Sequence, residues 1–272
     1  MRIAIQGELG SNSHMAALQM MGEVEIVPCA MSADVFSSVM SGEVDGAILP
    51  IENSLHGSVA EHYDMLLAHP VCIEREGMLR IRFNVIAAPG VKLSEVRRVL
   101  SHPVALSQCR QWLAAHREIE AVPFYDTAGS VKHVMEVGLR DAAGIAPALS
   151  ATQYGGEVIQ AGIEDHAENY TRFHLVRRSN LPPPDDAAQA NKMTVAFAIE
   201  NRPGTLVAAL KLLSDAGVGL TKIESRPVPG SPWEYVFYVD LRFDGPAMAE
   251  QALNALNAHC RMVKELGRYF AA

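Results

Sequence analysis

Three stretches of this 272-residue chain combine glycine with short hydroxyl, amide or carboxylate side chains. They are Gly7-Glu8-Leu9-Gly10-Ser11-Asn12-Ser13, Pro50-Ile51-Glu52-Asn53-Ser54 leading to Gly57-Ser58, and Asp126-Thr127-Ala128-Gly129-Ser130. Each lies between a strand-like run and a helix-like one. Each can therefore offer helix N–H groups and the positive end of a helix dipole to a carboxylate or phosphate. The same residue types cap any helix start, so one such junction alone says little. Three in one α/β domain point to a small anionic ligand. None fits the phosphate-cradling GxxxxGK[ST] pattern, and no GxGxxG opens the first helix.

Two further segments carry polar groups. Ser101-His102-Pro103 precedes a predicted helix over 105–115, with Ala105, Cys109, Trp112 and Leu113 on its apolar side. Ser101, Val104 and Gln108 fall on another side, where Ser101 and Gln108 face one cleft, or else form a cap and a solvated glutamine. Tyr170-Thr171-Arg172-Phe173 enters a strand. An arginine there can fork onto a carboxylate, and a threonine is equally a plain β-former. Glu164 and Asp165 read as loop charges rather than as an acid/base pair. There is no GxSxG elbow, Cys–His nucleophile or paired-carboxylate site.

The elements that must position these residues alternate. Strand-like runs at 2–6, 25–28, 46–50, 81–87, 121–125, 143–147 and 172–177 are separated by helix-like runs at 13–21, 33–40, 105–115 and 130–139, with helical spacing also at Val59, Tyr63, Leu66 and Leu67. That is an α/β pattern with mostly parallel sheets, whose ligands sit at strand carboxyl ends. Residues 181–191, LPPPDDAAQAN, form the predicted linker, because three consecutive prolines continue neither a helix nor a central strand. From 192 the pattern becomes βαββαβ, a ferredoxin-like order, with Pro-Gly-Ser-Pro turn chemistry at 229–232.

A net charge of −8 argues against a nucleic-acid or anionic-membrane partner, which needs a basic field. No apolar stretch is long enough to span a bilayer, and the start, MRIAIQGELG, lacks a signal-peptide h-region, so a cytoplasmic protein is expected. Four cysteines without CxxC spacing read as buried thiols, and ten scattered histidines form no metal-ligand pattern. No metal and no cofactor are expected.

Taken in order, these motifs resemble the prephenate dehydratase family over nearly the whole chain. Residues 7–17 are similar to GxxG[ST]F[ST]xxAA, 49–59 to LPIENSxxGSV, 101–109 to SHPxALxQC, 126–131 to DTAGSA and 163–173 to IEDxxxNxTRF. Gly204-Thr205-Leu206 resembles the GAL motif, and Glu224-Ser225-Arg226-Pro227 the ESRP motif, of the family's ACT domain. Asn12 replaces the usual Phe of the first motif, Thr205 the usual Ala of GAL, and Phe83 and Asn84 stand where the family often has a His. No chorismate mutase-like helical segment precedes the first motif, so the resemblance implies the monofunctional form.

The resemblance implies a two-lobed catalytic domain similar to periplasmic binding proteins at 1–180, lobe one at about 1–76 plus 167–180 and lobe two at about 77–166. A ferredoxin-like ACT domain would follow at 192–272. It implies the decarboxylative dehydration of prephenate, with arogenate as the alternative substrate and a non-catalytic sensor as the rival class. Thr171 would donate to the departing hydroxyl. Asn53, Ser101, Gln108 and Ser11 would shape the pocket, Arg172 and the junction of Thr127, Ala128, Gly129 and Ser130 would receive carboxylates, and Phe173 would pack on the ring. L-Phenylalanine would bind at Asn201, Pro203, Gly204, Thr205 and Leu206 together with Glu224, Ser225, Arg226 and Pro227, between ACT domains paired in a homodimer or homotetramer.

Overall fold

The computed structural model describes residues 1–184, 187–228 and 233–271. Residues 185 and 186 of the expected linker and the expected turn at 229–232 lie outside the described residues. The chain divides into two compact units, Met1–Ser58 with Met78–Phe173 and Val59–Gly77 with His174–Ala272.

The first unit opens with β1 (Arg2–Gln6), α1 (Asn12–Met21), β2 (Glu25–Cys29), α2 (Ser32–Ser41) and β3 (Gly46–Asn53). β1 is central and parallel to β2 and β3. Its Ile3, Ala4 and Ile5, with Ile48 and Leu49 of β3, are fully buried, which is why these runs are continuously apolar rather than alternating. A two-residue return strand, β4 (Gly57–Ser58), pairs with the end of β3. After α3 (Ala60–Ala68) comes β5 (Val71–Arg80), a long strand the sequence pattern does not signal, because Glu74, Arg75 and Glu76 interrupt its apolar run.

The second lobe of that unit contains β6 (Asn84–Ala87), β7 (Arg98–Ser101), α4 (Pro103–Leu106), α5 (Arg110–Ala115), β8 (Glu120–Pro123), α6 (Thr127–Val137), β9 (Ala142–Ala146), α7 (Ala148–Tyr154) and β10 (Glu157–Ala161). Its sheet runs β10-β6-β9-β7-β8. The β7, β8 and β9 strands are parallel, while β6 and β10 are antiparallel to their neighbours, so the sheet is mixed. Gly144 of β9 lets the start of α6 lie directly on the sheet, since a Cβ there would meet Val131 Cγ2 at 2.6 Å and Ser130 Oγ at 2.7 Å. The strand expected over 81–87 begins only at Asn84, and α7 and β10 were not foreseen. β11 (Tyr170–Arg178) and β5 each continue from one unit into the other and complete the first sheet, in the order β2-β1-β3-β11-β5.

The second unit carries the βαββαβ order: β12 (Lys192–Ala198), α8 (Thr205–Asp215), β13 (Gly219–Pro227), β14 (Tyr235–Arg242), α9 (Pro246–His259) and β15 (Met262–Tyr269). The antiparallel sheet order β13-β14-β12-β15 is the ferredoxin-like one, with Val195, Phe197, Leu213, Val239 and Leu256 in its core. α8 starts at Thr205, because Gly204 precedes it in the left-handed region at φ 88°.

α3 and part of β5 group with this unit rather than with the residues before them, and charged side chains explain why. Lys264 Nζ donates to the carbonyls of Leu66, Leu67 and His69 at 2.7–2.9 Å, satisfying the C-terminal end of α3, where helix carbonyls lack internal partners. Arg226 forks onto Asp64 of α3 at 2.6 and 3.2 Å. Lys192 Nζ donates to both carboxylate oxygens of Glu76 at 2.8 and 3.0 Å, with Asp240 Oδ2 4.0 Å away. These groups are nearly enclosed. Replacing Lys192 with Met would leave two buried carboxylates without their cation, and is expected to destabilise the protein by about 3–5 kcal/mol. The urea denaturation midpoint measures this, and an unchanged midpoint would refute it.

Candidate active site

Three side-chain amides and one hydroxyl meet where β3 ends and β11 begins. Those two strand ends are clipped together by Ser54 N donating to Tyr170 O at 2.8 Å and Tyr170 N donating to Ser54 Oγ at 3.0 Å. Asn53 Oδ1 accepts the backbone N–H groups of Leu55 and His56 at 3.0 and 3.1 Å, an Asx-type turn that holds the loop after β3. Its Nδ2 donates to Asn169 Oδ1 at 2.8 Å, Thr171 Oγ1 at 3.0 Å and Tyr170 O at 3.1 Å. Asn169 Nδ2 in turn donates to Gln108 Oε1 at 2.9 Å. Asn169 is fully buried, Gln108 nearly so, and Thr171 is 8% exposed. Because Thr171 Oγ1 accepts from Asn53, its own proton points away from that amide and is available to an acceptor other than Asn53 Nδ2.

Gln108 reaches this cluster because the helix expected over 105–115 is broken. Ser107 Oγ donates to Val104 O at 2.8 Å, ending α4 after one turn. The Asp165 carboxylate accepts from Arg110 N and Gln111 N at 2.9 and 2.8 Å, starting α5 as a capping anion, while Asp165 N donates to Gln108 O at 2.7 Å. Gln108 thus sits in the gap between the helices rather than on a helix face shared with Ser101. Glu164 also has a structural role, accepting from Phe83 N at 3.0 Å.

A second cluster joins the two lobes of the first unit. Glu8 Oε1 accepts from Tyr125 OH at 2.9 Å and Glu8 Oε2 from Lys132 Nζ at 3.0 Å. Tyr154 OH donates to Leu9 O at 2.9 Å and Ser150 Oγ to Gly10 O at 3.0 Å. Gly7, at φ 95°, lies so close to the second lobe that a Cβ would stand 2.7 Å from Asp126 Oδ2. Beside this junction is a cavity of about 530 Å3 whose lining includes Gln6, Gly7, Ser13, Pro50, His102 and Asp126, a volume suited to a small molecule. Burial pushes the Asp126 carboxyl up, with the negative Glu8 adding to it and the N–H of Gly129 opposing. Burial and the Glu8 hydrogen bond push the Tyr125 phenol up to about 12, so it stays a donor at neutral pH.

The structure brings Thr171, Asn53 and Gln108 together and gives the other expected site residues different surroundings. Ser101 ends β7 fully buried, and its hydroxyl donates to Ile145 O at 2.6 Å, a tie within the sheet. Ser11 caps α1, accepting from His14 N at 3.4 Å. Thr127 opens α6, where Ala128, Gly129 and Ser130 are enclosed. Ser130 Oγ donates to Thr127 O, and Gly129 N is taken by Asp126 Oδ1 at 2.7 Å. An incoming carboxylate at this helix end meets one already in place. The Arg172 guanidinium is 5% exposed and paired with Glu52 at 2.9 Å, and Phe173 lies in the core. Asn169 was visible only as a letter in the motif around Thr171. Its placement two residues earlier on the same face of the strand was the signal available. Among the described residues no group of three His, Cys, Asp or Glu side chains is placed to hold a metal ion. None of their helices is long and apolar enough to cross a membrane.

In the second unit, Asn201, Gly204, Thr205 and Leu206 line a cavity of about 220 Å3 with Tyr235 and Phe237, and Pro203 is in the same loop. Thr205 Oγ1 donates back to Glu200 O and Arg202 O at 2.7 and 2.8 Å, so its hydroxyl closes the loop. Glu224, Ser225, Arg226 and Pro227 are on β13 and do not line this cavity within one chain. Lys222 is 3.8 Å from Glu224, and Arg226 is held by Asp64.

A two-lobed α/β unit with an uncharged donor cluster and a cavity of small-molecule size, continued by a ferredoxin-like βαββαβ domain, defines the class of protein to which this chain belongs. The family model described as prephenate dehydratase matches residues 3–181, and the chain belongs to that family, a family of carbon–oxygen lyases. The chain is 37% identical over 279 residues to arogenate dehydratase/prephenate dehydratase 2, chloroplastic, of Arabidopsis thaliana, covering 98% of this chain and 72% of that one. Among solved structures it is similar to a prephenate dehydratase from Arthrobacter aurescens in complex with L-Phe, with TM-score 0.89, 32% identity, and coverage of 100% of this chain and 90% of the other. It is equally similar to GqqA, described as a novel type of quorum quenching acylase, with TM-score 0.89, 32% identity and coverage of 100% and 98%.

The clasp at Glu8 has a measurable consequence. Glu8→Ala removes the acceptor of both Tyr125 and Lys132, and amide hydrogen exchange at 7–12 and 125–132 is expected to accelerate by about tenfold. Unchanged protection of both segments would show that the clasp does not hold the lobes together.

Proposed function

We propose that this dehydratase takes prephenate as its substrate and that Thr171 is the donor to the leaving hydroxyl. The observation carrying this reading is the Asn53 amide donating to Thr171 Oγ1 at 3.0 Å, which turns the threonine proton away from Asn53 and leaves it available to a substrate oxygen. In the reaction the bond to the ring carboxylate breaks and CO2 leaves. Its electron pair enters the ring, and the C–OH bond breaks as the ring becomes aromatic. The hydroxide takes one proton and departs as water, so prephenate dianion plus a proton gives phenylpyruvate anion, CO2 and H2O. Threonine is too weak an acid to deliver that proton by acidity. A hydroxyl held in place stabilises the charge that develops on the leaving oxygen, and can pass on a proton taken from water.

Asn53 and Gln108 act in this reading by fixing that hydroxyl. Arg172, paired with Glu52, supports the start of β11. Thr171→Val keeps the shape of the side chain and removes the donor. It is expected to lower kcat by about 10²–10³-fold in a prephenate assay that follows phenylpyruvate. Near-normal kcat in the folded variant would remove Thr171 from the mechanism. The similarity to an Arabidopsis arogenate dehydratase/prephenate dehydratase favours a second reading, arogenate as substrate. The ratio of kcat/KM on the two compounds decides between them. Binding of either compound without turnover would instead favour a sensor.

The regulatory part of the proposal is that L-phenylalanine binds the 192–272 domain, read as an ACT domain, and lowers turnover. The cavity beside Gly204 and Thr205 supports it, as does the L-Phe complex of the Arthrobacter protein. Pairing of two such domains would bring the Glu224–Pro227 segment of a second chain to that cavity, in a homodimer or homotetramer in the cytoplasm. Titration with L-phenylalanine is expected to saturate both a binding signal and a fall in rate. Absence of both would reject the regulation and leave the catalytic reading standing.

A further inference from the structure

The LPIENSxxGSV motif leaves two positions open, and in this chain they are Leu55 and His56. His56 is exposed, yet its ring closes the hydrogen-bonded chain that ends on Thr171. Its Nδ1 lies 2.8 Å from Gln108 Nε2, and its Nε2 lies 3.1 Å from Ser107 Oγ. We propose that His56, held as the neutral Nε2–H tautomer, is a positioning residue for the dehydration, setting the orientation of Gln108 and through it of Asn169, Asn53 and Thr171. The proposal rests on the prephenate reading above for its kinetic test, and on the geometry alone for its spectroscopic one.

The polarity of this chain follows from one end to the other. Asn53 is oriented by backbone groups whose roles cannot change: its Oδ1 faces the N–H groups of Leu55 and His56, and its Nδ2 faces Tyr170 O. Nδ2 therefore faces Asn169 Oδ1, which turns Asn169 Nδ2 towards Gln108 Oε1. Gln108 is left with its Nε2, a donor only, which faces His56 Nδ1 at 2.8 Å and, at the longer distance of 3.5 Å, Asn53 Oδ1. That ring nitrogen must accept, so the ring proton is on Nε2. Nε2–H then donates to Ser107 Oγ, whose own proton goes to Val104 O. Each contact from Val104 O to Thr171 Oγ1 then pairs a donor with an acceptor. Losing the acceptor at Nδ1 leaves one N–H of a nearly buried amide unmatched, and a Gln108 turned to answer it would set two amide nitrogens, both donors, face to face at Asn169.

Three variants separate this role from a merely structural one. In H56N the Asn Oδ1 can replace the Nδ1 acceptor. H56Q places its polar group nearer the Nε2 position, and H56L offers none. With wild-type turnover on prephenate established first, H56N is expected to keep kcat within about threefold, while H56Q and H56L lose about tenfold or more with little change in KM. Thermal melting is followed alongside. Wild-type kcat in H56L, or an H56N that falls as far as H56L, would overturn the proposal. Wild type inactive on prephenate would instead sink the substrate reading. The second measurement needs no substrate: in a long-range 15N–1H spectrum of the resting protein at neutral pH, with H56N giving the assignment, His56 should show a protonated Nε2 and a bare Nδ1. A protonated Nδ1 would overturn the proposal whatever the kinetics.

Discussion

Two backbone N–H groups, those of Leu55 and His56, decide the direction of every hydrogen bond at the site. A side-chain amide is ambiguous in isolation, since its two ends have nearly the same shape and opposite roles. Anchoring Asn53 Oδ1 on main-chain donors removes that ambiguity at one residue, and the alternation of donor and acceptor carries the choice through Asn169 and Gln108. Thr171 Oγ1 is an acceptor from Asn53 in this chain, which is the basis for proposing its own proton as the donor to the leaving group. In surroundings this enclosed, a reversed amide would leave buried groups unmatched at two places, so the arrangement has one low-energy form.

The strands and helices around it serve the same end. The β3–β11 clip sets the distance between Asn53 and Thr171. The break between α4 and α5 frees Gln108 from helical spacing, and Asp165 makes that break stable by starting the second helix with its carboxylate. The helix starts that read as anion sites are used internally. Ser11 caps α1, and Asp126 occupies the Gly129 amide at the start of α6. Anion recognition here is therefore not a matter of bare helix amides. The cavity beside Asp126 is lined by Glu8, Asp126 and His102 and by a Lys132 already paired with Glu8.

Much of this was legible in the residues. The α/β alternation, the βαββαβ order of the tail and the helix at 246–259 followed from periodicity and from prolines and glycines at element ends. Thr171, Asn53 and Gln108 stood out as polar residues in their segments, but their roles came from the resemblance, and the helical spacing that paired Gln108 with Ser101 did not survive the break between α4 and α5. The β5 strand was hidden by Glu74 and Glu76, whose charges are matched by Arg177 and Lys192, over a hundred positions later in the chain. The interruption at 107–109 was equally invisible, since its cause, Asp165, is more than fifty residues away in sequence. The grouping of α3 with the C-terminal residues depends on Lys264 and Arg226, and only a folded chain reveals such partners.

Between the His56 ring and the Thr171 hydroxyl the chain contains only carboxamides, and a carboxamide neither gains nor loses a proton near neutral pH. It transmits orientation without carrying current. In the proposed reaction, the hydrogen ion that ends up in the expelled water would therefore not come through this network to Thr171 Oγ1. The protein's contribution at that atom is a fixed direction, kept the same from one catalytic cycle to the next because nothing in the network has to be recharged.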